Sequence, residues 1–133
     1  GLLGVGSRAN GQRSSSRNVR RTAMNVNDFV YEIFITAQTS SICGIPVIRR
    51  LTPTSVNIRI PITGGLFVDT FHNESTGRTA FVLIKNNQRI FGTDNTGGWH
   101  LHPFDDPARH DPLNAPMTFA EFIQRIETYL SKP

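Results

Sequence analysis

The chain of 133 residues is poor in several things that small proteins often rely on. It has a single cysteine, Cys43, so no disulfide can form within it. Cys43 sits in "SICGIPVI" among apolar neighbours and reads as a small buried hydrophobe rather than a reactive thiol. No apolar run approaches the ~18–20 residues that a membrane-spanning helix needs. The opening "GLLGVG" is too short for a signal-peptide core and has no basic residue before it, so the expectation is a cytoplasmic protein without a membrane partner. Residues 1–23 contain no acid, and the whole chain contains one tryptophan, Trp99.

The charge is unevenly placed. The formal net charge is +4, but Arg8, Arg13, Arg17, Arg20 and Arg21 all lie in the first 23 residues. The remainder holds 9 basic and 10 acidic residues, a net of −1. The tail "GLLGVGSRANGQRSSSRNVRRTA" lacks periodic apolar positions and cannot bury enough surface to offset its ordering entropy, so a disordered basic tail is expected over 1–23. Either it follows a nucleic-acid backbone, or Met24 is the natural start and the residues before it are an upstream extension. A single domain is expected over 24–133.

In "NVNDFVYEIFITAQTSS", Phe29, Val30, Ile33, Phe34 and Ala37 follow helical spacing, with Asn27 as a candidate N-cap. Extended segments follow. "IPVIRR" is short and β-branched, and in "TSVNIRIPI" Val56, Ile58, Ile60 and Ile62 alternate with polar or imino residues. Pro61 belongs near a strand end or on an edge. "LFVDTFHN" and "RTAFVLIK" pair through "NESTG", and Asn86-Asn87 tolerate the positive φ of a tight return into Gln88–Thr93. In "TFAEFIQRIETYL", Thr118 and Glu121 form a capping box, and Phe119, Phe122, Ile123, Ile126 and Leu130 make one stripe. The fold class expected is α+β: an antiparallel β-sheet meander of about four or five strands, an N-terminal helix, and a C-terminal helix on one sheet face.

Between the last strand and the last helix runs "NTGGWHLHPFDDPARHDPLNAP", too rich in Gly and Pro for a helix or a long strand. Together with Asp94 just before it, this segment gathers three of the chain's four histidines and four of its ten acidic residues. A connection of this length without secondary structure is usually functional or disordered. Trp99, Leu101, Phe104 and Leu113 supply apolar anchors, and prolines lower the entropy cost of fixing it. His100 and His102 are two apart, so an extended backbone points both imidazoles to one side and Leu101 to the other.

That pair suits two chemistries. A histidine carries a proton either way near neutrality, so two could cleave RNA without metal, one as base and one as acid. His110 is a third candidate. Arg89 or Arg109 would neutralise phosphate charge, Trp99 could stack on a base, and Asp94-Asn95 would shape the site. Alternatively a metal could sit on the pair, completed by His110, Asp105, Asp106, Asp111 or His72. Each residue also has a plainer reading. Trp99 would pin the loop to the sheet, Asp94-Asn95 would form a turn, Asp105-Asp106-Pro107 would cap a short helical turn, and His72 would be a solvated strand residue.

The stretches "FGTDNTGGWHLHP" and "MTFAEFIQRI" resemble the TumE-type toxin family of prokaryotic toxin–antitoxin modules. The likeness runs roughly from Met24 to Leu130. The matching positions are Asp94, Asn95, His100, His102 and Pro103, with His110 after them. Where the family carries a dense histidine run and a lysine after the proline, this chain has "FDDPARH". The resemblance implies a small growth-inhibiting ribonuclease acting on RNA and neutralised by an antitoxin protein that also binds DNA; the histidine chemistry described above would need no cofactor. Apart from the resemblance, two other functions fit the sequence: a non-catalytic interaction module with a basic nucleic-acid-binding tail, and a histidine-based metal-binding protein.

Overall fold

The computed structural model describes residues 24–133, so the arginine-bearing tail lies outside the described residues. Helix α1 spans Val26–Thr39. Strands β1 (Val47–Leu51), β2 (Ser55–Ile62), β3 (Leu66–Asn73), β4 (Thr79–Lys85) and β5 (Gln88–Asp94) follow. Two shorter strands, β6 (His100–His102) and β7 (Asp111–Pro112), precede helix α2 (Phe119–Leu130). The seven strands form one antiparallel sheet in sequence order, an uninterrupted meander. The class is α+β as the sequence implies. The strand count is larger, because the connection read as structureless contributes the last two strands.

Local chemistry explains the turns. Asn86 and Asn87 take φ of 51° and 62° in the β4–β5 hairpin. Both lie in the left-handed region that asparagine tolerates better than most residues. Gly97 and Gly98, at φ 70° and 106°, reverse the chain between β5 and β6, and a side chain there would be strained. The N-cap of α1 is Asn25, two residues before Asn27, because its Oδ1 accepts from the Asp28 N–H at 2.8 Å. The Glu74 carboxylate accepts a second free N–H, that of Val26, at 2.8 Å. The capping box of α2 is present as expected, with Thr118 and Glu121 accepting from each other's backbone N–H. Pro61 sits one residue from the end of β2, beyond the last residue paired with β1.

Both helices pack on the same sheet face. Phe29 of α1 stacks on His72 and Phe81, while Phe119 and Phe122 of α2 meet Phe81 and Phe91. Alternation in β2, β3 and β4 sends Ile58, Ile60, Val68 and Leu83 into this layer, all fully buried. Burying side chains of this size contributes ~1.5–3 kcal/mol each relative to exposure. Cys43 packs partly against the same core, and burial pushes its thiol up, against activation. Among the described residues no helix is long and apolar enough to cross a membrane.

Candidate functional site

The opposite face of the sheet carries His100, His102 and His110. Asp94 closes β5, the Asn95–Gly98 turn follows, and β6 returns in register with Asp94 opposite His100 and Gly92 opposite His102. Leu101, between the two histidines, points into the core opposite Thr93 and is buried. His100 and His102 therefore share one side, and their ring centroids lie 4.9 Å apart. Strand β7 pairs Asp111 with Leu101 and Pro112 with His100, which brings His110 beside them. His110 stacks flat on His100 at 4.9 Å and meets His102 edge-on at 4.6 Å. The three imidazoles named from the sequence thus form one cluster.

Asp94 is its hub. One carboxylate oxygen, Oδ2, lies 3.2 Å from His102 Nε2 and 3.4 Å from His100 Nε2. The Thr96 N–H donates to the other oxygen at 2.9 Å. Burial pushes the Asp94 carboxyl up, but the Thr96 N–H, the His102 hydrogen bond and the His100 ring outweigh it, and the group is held below the usual carboxylate range. The ring of His100 is fixed from behind. The Gly98 carbonyl can only accept, so His100 Nδ1 is the donor in their 3.0 Å contact, and Nε2 is the atom presented to Asp94.

His102 is different in kind. It is only 4% exposed. Burial lowers its pKa, and the positive Arg89 adds to that against the opposing pull of Asp94. A neutral ring beside a carboxylate favours the tautomer with hydrogen on Nε2. This leaves Nδ1, a buried nitrogen with no partner among the described residues. A buried ring cannot itself meet a substrate, so His102 orients Asp94, whereas His100 is partly exposed and His110 is exposed.

The arginines divide. Arg89 crosses Gly92: a Cβ there would come within 3.4 Å of Arg89 Cδ and 3.8 Å of the His102 ring. Its Nη2 also donates to the Pro107 carbonyl at 3.0 Å. Arg89 is therefore at the site. Arg109 instead donates to Asp111 at 2.8 Å and 3.1 Å and to Asp105 at 3.2 Å, and these carboxylates push its guanidinium pKa up. It ties its own loop together and is not free for phosphate. The same pairing neutralises two of the acids that would repel RNA. Asp106 accepts from the Ala108 N–H through its side chain and from the Arg109 N–H through its carbonyl, forming a turn where a short helical turn was expected.

Other sequence candidates lie elsewhere. Asn95 accepts from the Thr79 N–H and donates to the Gly77 carbonyl, both at 2.9 Å, so it joins two turns instead of facing the imidazoles. Trp99 packs against the core on the helix-bearing side, where it pins the segment. His72 is 3% exposed, not solvated. It stacks on Phe29 at 4.9 Å, its Nδ1 contacts Thr79 Oγ1 at 2.8 Å and its Nε2 donates to the Met24 carbonyl, so both ring nitrogens are occupied within the core. Sequence reasoning underestimated Asp94, whose part follows from the β5–β6 register, and missed Gly92. An Asp two residues after a small β residue, facing a His-x-His return, is the signal that could have found both.

No family model, curated protein or solved structure matches this chain.

Proposed function

We propose that this protein is a toxin-like ribonuclease that cleaves RNA by histidine acid–base chemistry. The observation that carries the proposal is the cluster itself: one carboxylate oxygen within 3.4 Å of two Nε2 atoms, with a third imidazole stacked on the first. The reaction that suits such a cluster is an internal transfer. A ring nitrogen of exposed His110 takes the proton from a ribose 2′-hydroxyl, and the freed oxygen forms a bond to phosphorus. The P–O5′ bond breaks, and His100 gives a proton to the departing oxygen, leaving a 2′,3′-cyclic phosphate and a 5′-hydroxyl. Asp94 holds the His100 proton donor, His102 fixes Asp94, and Arg89 offsets phosphate charge. Every atom and proton in the step is accounted for without a cofactor. An antitoxin partner belongs to this reading, and a helix-turn-helix reading frame overlapping the gene would support it.

The experiment is cleavage of single-stranded RNA by the purified chain in the presence of a chelator, beside His100→Ala, His102→Ala and His110→Ala. Each substitution is expected to slow cleavage by about a hundredfold or more. Equal activity in all four proteins would remove these histidines from the mechanism.

A second reading has its own observation. Ligand atoms of Asp94, His100 and His102 all lie within 4.8 Å of one another. His100 is also oriented through Nδ1 onto a backbone carbonyl, the way metal-bound imidazoles are commonly held. Two nitrogens and an oxygen suit zinc or another transition metal. Stoichiometric metal in protein purified without chelator, lost in Asp94→Ala, supports this reading; its absence disposes of it.

A further inference from the structure

The histidine cluster is one end of a larger surface. Cross-strand register links Phe71 on β3 to Ala80, Asp94 and then His100. The next row runs from Asp69 through Val82 and Gly92 to His102. A third joins Phe67, Ile84 and Arg89. All of these lie on the sheet face that neither helix covers. Phe67, Phe71, Val82 and Ile84 are half-buried, and none of them packs into the core between sheet and helices.

The apolar part is flanked by positive charge. The Arg59 guanidinium lies 3.9 Å over the Phe67 ring, and that of Arg78 lies 5.8 Å from Phe71. Arg59 is balanced by Asp69 at 2.9 Å, while Arg89 approaches from the histidine side. Between the aromatic column and the imidazoles stand Ala80, Val82 and Ile84 on β4, then Gly92 and the Asp94 carboxylate that the histidines hold. The face thus carries rings and guanidinium planes at one end and proton-transfer groups at the other. Three strand spacings separate β3 from β6, which is ~14 Å.

We infer that an unpaired RNA strand lies across this open face, running from the β3 aromatics to the histidines. Bases stack on Phe71 and on the Arg59–Phe67 pair, Arg78 and Arg89 meet phosphates, and the scissile phosphate rests against His100 and His110. Partly exposed rings and guanidinium planes can stack an unpaired base of any kind, whereas a duplex hides its bases and offers little to them. The positive flanks complement a phosphate backbone. This inference rests on the ribonuclease reading for its end point, but not for the binding face.

The test uses the full chain and a fluorescein-labelled single-stranded RNA octamer with 2′-O-methyl groups, which binds but lacks the attacking hydroxyl. Anisotropy titration is expected to show Phe71→Ala weakening affinity roughly tenfold to hundredfold. Phe71→Leu keeps the apolar bulk and guards against a folding artefact; it should weaken binding as well. Arg78→Ala and Arg89→Ala should each lower the slope of log affinity against log salt by about 0.7. Tyr31→Ser, on the exposed side of α1, should bind as wild type, and a duplex of the same sequence should bind more weakly. Unchanged affinity in Phe71→Leu and Arg78→Ala, or equal affinity for duplex, overturns the inference. Binding that depends on this face, with no cleavage of ordinary RNA, retains the inference and removes the ribonuclease reading. Cleavage with affinity indifferent to Phe71 and Arg78 does the reverse.

Discussion

Phe104 offers a sharp test of how the site is held. Its ring is sandwiched, 4.0 Å from Phe91 and 3.9 Å from Tyr129, both nearly parallel. This is the apolar anchor of the segment that runs from β6 to His110. Truncating a fully buried phenylalanine costs ~3–5 kcal/mol. Phe104 is half-buried, so Phe104→Ala should lose about 3 kcal/mol, at the lower end of that range. Each aromatic pair adds ~0.5–1.5 kcal/mol beyond burial. Phe104→Leu, which keeps bulk but not stacking, should therefore lose about 1–2 kcal/mol. For a domain of this size each kcal/mol shifts the unfolding temperature by ~4 °C, so the alanine variant should melt roughly 10 °C lower. Calorimetry on both variants measures this. Cleavage should also fall, by about tenfold or more, because His110 loses its position while β6 keeps His100 and Asp94 together. If Phe104→Ala melts with the wild type, the sandwich is not what anchors the segment.

Four further outcomes follow from the geometry. The pKa of His102 is lowered in the folded chain, by burial first and by Arg89 after it. The unfolded chain, with a histidine pKa near ~6.5, then binds the proton better, so stability is present above that value and falls as pH drops below it. Urea midpoints at pH 7.5 and 5.5, in chelator, should differ less for His102→Gln than for wild type; an identical difference would refute the assignment. His72→Leu strands the Met24 carbonyl and leaves the Thr79 hydroxyl only its longer, 3.3 Å bond to the Gly77 carbonyl. It should lower stability by about 2–3 kcal/mol in urea unfolding, and a wild-type midpoint would show that the core contacts matter little. Arg109→Gln removes only solvent-exposed ion pairs. Its melting point should stay near wild type at high salt, and a large salt-independent drop would contradict that. Gly92→Ala places a Cβ 3.3 Å from the Phe81 carbonyl oxygen. It should cost about 1 kcal/mol or more in thermal unfolding, and a stabilised variant would show that the backbone can give way.

Much of this architecture is legible in the chain. The four or five strands expected and both helices follow from alternation or β-branched composition, from the helical stripes and from turn chemistry at Asn86-Asn87 and Thr118–Glu121. Strands β6 and β7 were illegible because three and two residues are too few to show a period. The surrounding Pro103, Pro107 and Pro112 also have the composition of a loop. The cap of α1 was displaced because Asn25 and Asn27 look alike in sequence, and only the reach of an Oδ1 to the Asp28 N–H separates them. The common direction of His100 and His102 could be read from their spacing. The place of Asp94 between them could not, since it depends on which residue of β5 faces which of β6. His72 is a signal passed over: it shares parity with Leu66, Val68 and Thr70, all buried.

The most direct measurement is the chemistry of the RNA ends. Wild-type protein in chelator should leave 2′,3′-cyclic phosphates and 5′-hydroxyls, and a 2′-deoxy nucleotide at the scissile position should block cleavage, because the attacking oxygen is gone. Asp94→Asn, which replaces one acceptor oxygen of the hub, should slow the reaction by about a hundredfold or more. Cleavage of the deoxy substrate, or a wild-type rate in Asp94→Asn, would contradict the account.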